Sequence, residues 1–397
     1  MDNRYNRHNR RKYSLKVHIV LVTKYRKQLL KDSIADDVND IANTYGTNMV
    51  RFCLNSIGRK KYFGQTDILL AALEEPMANE RILFMKGQET ELSKAQCQES
   101  ASLGTRFLVM GSLNYDYIYS LDHIVAPGET IASAKLDKTC GGKGFNQAAA
   151  LAKAGAKVYL AGLVGADGGQ MLETAQEFGV DCRFVQERDN ATGHAIIQVD
   201  KNGQNSIVLF GGTNRMWTAE YVDSVLDSFE KGDVLILQNE INGIEDILEK
   251  AYARGISIVL NPSPFEDCIL SWQLEKVSLF FINEVEGSQM TQKSEPKDIL
   301  DQMLFQYPDA AVVLTLGEKG AWYADREERY FCPAQKVKAV DTTAAGDTFT
   351  GYFLMAQEKG FSAEQCLSIA AQASAIAVSR KGASVSVPVW AELQMDL

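Results

Sequence analysis

The larger part of this chain reads as an α/β fold: a mostly parallel central sheet flanked by helices on both faces, with a small second sheet at its side. Three observations carry that reading. From Arg106 onward, short apolar runs alternate with Ala-rich or amphipathic runs, and alternation at this spacing implies crossover units and therefore parallel strands. The apolar runs are of the buried kind, suited to a sheet covered on both sides. Two β-like segments with interleaved polar residues break the alternation and stand apart from it.

The elements follow in order. Residues 107–113 form a short buried-type strand, and 143–154 an Ala-rich helix that stops at Gly155. Residues 157–164 give the next strand, with others at 234–238, 256–260, 279–282 and 311–316 and amphipathic helical segments between them. The interrupting segments are 115–138 and the pair 195–200 and 206–210. That pair flanks an Asn-Gly turn at Asn202-Gly203, a strong hairpin signal. These segments are expected to leave the main sheet and pair as a separate small one. Ahead of them, 67–75 and 79–94 read as helical with Pro76 interrupting, and 97–105 as a polar linker. The expected organisation is therefore a head at 1–57, a helical segment and linker at 58–105, and a main domain at 106–397.

Bulk properties narrow the function classes. Of the 397 residues, 46% are hydrophobic and 23% charged, the balance of a soluble protein with ample material for a core. No run approaches 18 apolar residues, so no membrane helix is expected. The apolar run at 17–22 is too short for a signal peptide and is closed by Lys24, Arg26 and Lys27. Seven scattered cysteines, odd in number and without a CxxC pair, suit free thiols in a reducing cytoplasm. His8, His18, His123 and His194 are not at ligand spacing, which argues against a histidine metal site. Charge is uneven: nine bases and one acid precede residue 31, and the remaining 32 bases and 50 acids leave about −18 on the rest. A basic head could touch nucleic acid, although charge alone favours a solvated basic tail.

Two segments carry chemistry. Residues 340–351, VDTTAAGDTFTG, bring a strand-like approach to small residues and then an acid at a helix start. Ala344, Ala345 and Gly346 let the backbone approach a ligand closely, and N–H groups at a helix start can hold phosphate oxygens. Asp347 then stands where it could take a proton from an attacking hydroxyl. The plainer reading is an acid favoured by the helix dipole. Residues 141–147, GGKGFNQ, place adjacent glycines before a helix, with Asn146 offering both donor and acceptor to hydroxyls. There is no GxxxxGK[ST] loop, and Gln147 replaces the third glycine of a dinucleotide fingerprint.

Together, GGKGFNQA and DTTAAGDTFTG, in this order and about 200 residues apart, resemble the two signatures of the ribokinase-like family of carbohydrate kinases. The resemblance spans about residues 106–393. It implies that family's fold, with the interrupting segments forming a lid (about 115–138 and 195–212) that often pairs into a homodimer. It implies ATP-dependent phosphorylation of a sugar with Mg²⁺ and a monovalent cation, usually K⁺. Carried over by position, Asn114, Asp116, Gly142, Lys143, Asn146 and Glu240 match sugar contacts, and Asp347 the catalytic base beside an anion hole from Ala344, Ala345 and Gly346. Asn283 and Glu286 match the motif that organises Mg²⁺ and phosphates through water. Thr315, Gly317 and Gly320 match the nucleotide turn. Asp341, Thr343, Ala377, Arg380, Gly382 and Ser386 match the loops around the monovalent cation.

Within that family the GGKGxNQA turn is similar to that of ribose kinases, since the fructose kinases usually lack this lysine. Tyr115 is bulkier than the family often shows, and Gly212-Thr213-Asn214 replaces a more usual Gly-Ala-Asn; both bear on which sugar is used. Deoxyribose, a nucleoside or a keto-sugar acid stands as the alternative substrate. A sugar-sensing, nucleic-acid-binding regulator is the alternative outside enzymes. Residues 13–52 resemble something unrelated, the opening strand and first helix of small single-strand transposases of bacterial insertion sequences. No His-hydrophobic-His pair or nucleophilic tyrosine helix follows, so the resemblance implies a truncated remnant without that chemistry. A small-molecule sugar and a second copy of the chain are the expected partners, and neither nucleic acid nor a membrane is.

Overall fold

The computed structural model describes residues 104–394. The readings at 13–52, 67–75 and 79–94, and most of the linker, lie outside the described residues. Strand β1 (Arg106–Met110) is followed by β2 (Asn114–Ser120), β3 (Lys135–Gly141), helix α1 (Lys143–Lys153), β4 (Lys157–Val164), α2 (Gly169–Glu177) and β5 (Asp181–Glu187). Then come β6 (Gly193–Val199), β7 (Asn205–Phe210), α3 (Ala219–Leu226), β8 (Val234–Gln238), α4 (Ile244–Ala253) and β9 (Ser257–Asn261). The rest is β10 (Leu279–Asn283), α5 (Glu284–Thr291), α6 (Pro296–Gln306), β11 (Ala311–Thr315), β12 (Ala321–Ala324), β13 (Arg329–Cys332), α7 (Ala345–Glu358) and α8 (Ala363–Val378).

The main sheet runs β13-β12-β11-β10-β9-β8-β1-β4-β5. From β11 to β5 every neighbour is parallel; β12 and β13 add an antiparallel edge. Alternate side chains of one strand feed two cores. Phe107 and Val109 of β1 join Phe145, Phe353 and Leu367 from α1, α7 and α8, while Leu108 and Met110 join Val222, Ile247 and Ile299 from α3, α4 and α6. The period-two alternation of a strand makes this division automatic.

The interrupting segments do pair as a separate sheet, in the order β3-β2-β6-β7. Its strands β6 and β7 are joined through the Asn202-Gly203 turn, and Asp200 accepts the N–H groups of Asn202 and Gln204 to close it. Between β2 and β3, most of 121–134 is irregular rather than extended. The first strand ends at Met110 rather than at 113, because residues 111–113 leave the sheet to lead into β2. Three strands were not legible in the alternation. β5 and β13 form the sheet's two edges, where polar residues interrupt the apolar run. β12, apolar and largely buried, is only four residues long and follows β11 through a tight antiparallel turn instead of a helix, so the alternation does not mark it.

Two glycines set how closely the pieces sit. A Cβ on Gly144 would come within 2.6 Å of the backbone of Gly111 and Ser112, so α1 begins directly against the end of β1. A Cβ on Gly351 would meet Ala150 Cβ at 2.6 Å and the backbone nitrogen of Leu151 at 2.8 Å, so at this point α7 lies on α1 with only the Ala150 methyl between them. Gly351→Val is expected to force the helices apart and cost about 1–3 kcal/mol, read as a lower denaturant midpoint at unchanged slope. An unchanged midpoint would mean that the α1–α7 contact is slack.

Candidate active site

The carboxyl ends of β1, β8, β9, β10 and β11 open on one side of the main sheet, the usual ligand side of a parallel α/β sheet. A cleft of about 360 Å³ lies there, lined on one side by Lys143 and on others by Asn283, Glu286, Thr315, Gly317 and residues 344–347. The structure thus brings together residues from four separate sequence motifs.

Asp347 sits in the first turn of α7, only 7% exposed. Its Oδ1 accepts the side-chain N–H of Gln147 at 2.9 Å and its Oδ2 that of Asn146 at 3.3 Å. Both donors stand on α1, so the glycine contact between the helices also brings the carboxylate to its amides. The Asn146 side-chain oxygen is buried without a protein partner, which leaves an acceptor for an incoming hydroxyl. Ala344 adopts the left-handed conformation, φ 58°, at the entrance to α7. For a residue with a Cβ this costs about 1 kcal/mol, and it is held by the Thr348 N–H to Ala344 C=O bond and the Ala345 N–H to Thr342 C=O bond. Gly346 and Asp347 line the cleft, and as first-turn residues of the helix their N–H groups have no intrahelical acceptor. Gly346 itself has open space where a Cβ would be.

The sugar-type residues gather around Ser112 and the start of α1, and of them only Lys143 lines the cleft itself. Gly142, at φ 91°, takes a conformation that favours glycine and has no room for a Cβ beside the Ser112 carbonyl. Glu240 accepts the backbone N–H of Lys143 at 3.1 Å and the hydroxyl of Ser112. Asn114 is buried, its oxygen taken by Asn214 at 2.7 Å, which leaves its own NH₂ to offer. Asp116 leans into the space that Gly141, lacking a side chain, leaves open. Burial, and then the nearby Glu240, push its carboxyl up to about 7. Lys143 is half-buried, which by itself disfavours its charge, yet Asp347, Glu240 and Glu286 around it hold the ammonium above its ordinary range.

Asn283 and Glu286 form a capping box at the start of α5. The Asn283 oxygen accepts the N–H groups of Val285 and Glu286, and Glu286 Oε2 accepts the Asn283 N–H at 3.0 Å. One Glu286 oxygen remains, on a side chain 5% exposed that lines the cleft. A hard divalent cation fits here as an outer partner, through water and phosphate oxygens. Thr315 closes β11, and the turn beyond it needs Gly317 and Gly320, both at positive φ; a Cβ on Gly320 would strike the Cys332 carbonyl at 2.1 Å.

The third group gathers beside the start of α7. Asp341 accepts the Thr343 N–H through Oδ1 and the Gly382 N–H through Oδ2, each at 3.0 Å, tying the two loops together. Burial opposes its charge, but these bonds and Lys381 outweigh it and hold the carboxyl below its usual range. Ala377 and Ser386 are buried, and the Arg380 guanidinium is turned to Glu392 at 2.5 Å. A guanidinium has no acceptor, so Arg380 fits a cation only through its carbonyl, whereas the ionised Asp341 fits one directly.

Other residues of the site went unnamed as such in the sequence reading. Asn261, Ser263, Thr342 and Thr350 line the cleft, and Ser112, Gln147, Asn214 and Gln238 hold its members. Asn261 and Gln238 share a signal, a polar residue closing an apolar strand on the ligand side. Ser112 carries no signal at that level, since its partner Glu240 is distant in sequence, whereas Asn214 closes the Gly212-Thr213-Asn214 turn already named as bearing on the sugar.

Residues 105–390 match the model of the pfkB family carbohydrate kinases. The chain belongs to that family. It is an ATP-dependent carbohydrate kinase. A ribokinase of Haemophilus influenzae is 34% identical over 296 residues, covering 72% of this chain and 95% of that protein. A deoxyribokinase of Salmonella typhimurium is 30% identical over 292 residues, with 70% and 94% covered. The solved structure of Arabidopsis thaliana ribokinase, complexed with ribose and ATP, has a TM-score of 0.65 at 29% identity, covering 73% of this chain and 97% of that one.

The placement of Asp116 gives a measurable consequence. Its carboxyl should titrate near 7 by ¹³C NMR, and Glu240→Gln should move that midpoint down, since a nearby negative charge is removed. A midpoint in the usual carboxylate range would show Asp116 to be better solvated than this geometry makes it.

Proposed function

We propose that this chain transfers the γ-phosphoryl group of ATP to the 5-hydroxyl of D-ribose, giving ribose 5-phosphate and ADP. The observation that carries this reading is the Asp347 carboxylate. It is buried at a helix start among open N–H groups, and it is bonded to amides of the very helix whose first turn lines the sugar side. Asn114, Asp116, Gly142, Lys143, Asn146 and Glu240 hold the sugar hydroxyls. Asp347 takes the proton of the attacking hydroxyl as it bonds to phosphorus. The N–H groups of residues 344–347 steady the charge on the transferring group. Asn283, Thr315, Gly317 and Gly320 seat the nucleotide. Mg²⁺, held through water by Glu286, supplies neutralisation of phosphate charge. A monovalent cation, K⁺, between the loops of Asp341, Thr343, Ala377, Arg380, Gly382 and Ser386 supports the backbone of the anion hole.

Charge favours a neutral sugar. Glu240, Glu286 and Asp347 surround the ammonium of Lys143, an arrangement that repels a substrate carrying its own phosphate or carboxylate. The likeness to ribokinases favours ribose, and the deoxyribokinase likeness makes deoxyribose the second reading.

The four-stranded sheet acts as the lid and pairs with that of a second copy. Leu136, Ile207, Val208, Leu209 and Phe210 are all exposed on it, an apolar surface of the kind that marks an interface. Ile207→Asp with Leu209→Lys is therefore expected to turn a dimer into a monomer in sedimentation; a wild-type monomer would remove this assignment. Among the described residues no helix is long and apolar enough to cross a membrane and the cysteines are free, which suits a cytoplasmic enzyme. Residues 1–57 are read as the truncated transposase-like head and 58–105 as the connecting segment.

One assay tests the reaction: ATP consumption against ribose, deoxyribose, fructose, nucleosides and keto-sugar acids, with Mg²⁺ and with or without K⁺. Ribose should give the highest kcat/KM, and Asp347→Asn should lower kcat by about 10²–10⁴-fold with sugar binding retained. Removing residues 1–103 should leave turnover in place. Preference for another sugar, or near-normal kcat in Asp347→Asn, would overturn the substrate or the base respectively.

A further inference from the structure

Behind Asp347 lies a chain of two carboxamides that sugar and nucleotide cannot reach. Gln238, the last residue of β8, donates from Nε2 to Gln147 Oε1 at 2.6 Å, and Gln147 donates from Nε2 to Asp347 Oδ1 at 2.9 Å. Both glutamines are essentially fully buried. Room for the outer one is made by Gly111, where a Cβ would stand 2.2 Å from Gln238 Oε1. That oxygen has no protein partner, so the chain ends there.

The polarity of this chain is fixed from one end. An ionised carboxylate can only accept, so Gln147 must turn its NH₂ to Asp347 and its oxygen away. That oxygen then requires a donor, and Gln238 supplies one. A flipped Gln147 would set two oxygens against each other at Asp347 and two NH₂ groups against each other at Gln238. We infer that Gln147 and Gln238 are positioning residues for the phosphoryl transfer. Gln147 fixes one oxygen of Asp347 so that the other faces the attacking hydroxyl, and Gln238 acts only by keeping Gln147 in the donating orientation. The inference rests on the reading of Asp347 as the base. The chain leaves sugar contacts untouched, so it should bear on kcat and not on sugar KM, since misplacement of a reacting group by about 1 Å costs up to roughly 10²-fold in rate.

The test uses the full chain and size-matched methionines. Gln147→Met should lower kcat about 10–100-fold, Gln238→Met by a smaller factor, and neither should change sugar KM or the fraction of active sites found by titration. The double variant should be no slower than Gln147→Met alone, because Gln238 has no route to Asp347 except through Gln147. Full kcat in Gln147→Met, multiplied losses in the double variant, or losses confined to Tm and active fraction would each overturn the proposal. Asp347→Asn measured alongside separates the two readings. If it retains turnover, Asp347 is not the base; if it fails while Gln147→Met turns over normally, the base stands and the positioning chain falls.

Discussion

The seating of α7 on α1 is the constraint on which the site depends. α1 opens at the sugar side and carries Asn146 and Gln147; α7 opens at the anion-binding side and carries Asp347. Neither helix alone holds a complete set of groups. They come together because Gly351 and Ala150 allow contact almost at backbone distance, and the amide bonds to Asp347 are the polar face of that same contact. Close-packed interiors transmit small displacements because they have few voids to absorb them. A gap of one methyl group between these helices would therefore reach the carboxylate undiminished.

Electrostatics follows from the same convergence. Four carboxylates and one ammonium share the mouth of the sheet, with one carboxyl, Asp116, pushed up toward neutrality and the ammonium of Lys143 held firmly charged. The excess of acid is tolerable because neighbours partly compensate it. Ser112 and the Lys143 N–H serve Glu240, two amides serve Asp347, and the α5 entrance serves Glu286. Asp116 has burial and a like charge without such help, which is why it bears the shift.

Much of the fold was legible because buried parallel strands write themselves as unbroken apolar runs. The strands at 157–164 and 234–238 coincide with the structure, and the Asn-Gly turn correctly announced the β6–β7 hairpin. β5 and β13 were not legible, since edge strands carry no such run, and β12 was not because four residues after a tight turn fall outside the strand–helix alternation. At the site, what the two motifs displayed in sequence the structure collects into one cleft: Lys143 from one, residues 344–347 from the other, and Asn283, Glu286 and Thr315 from strand ends between them. The supports were hidden for a physical reason. Gln238 meets Gln147 across 91 positions and Asn214 meets Asn114 across 100, and nothing local in sequence encodes a contact of that range.

The capping box of α5 has a consequence for how the cleft comes into being. Glu286 is oriented by the backbone N–H of Asn283, and Asn283 in turn by the N–H groups that begin the helix. The acid that faces the cleft is thus aimed by the act of helix nucleation rather than by the arrival of a ligand. Its rotamer entropy is surrendered during folding, once per molecule, and not again at each encounter with a nucleotide. Folding and readiness are, at this residue, the same event.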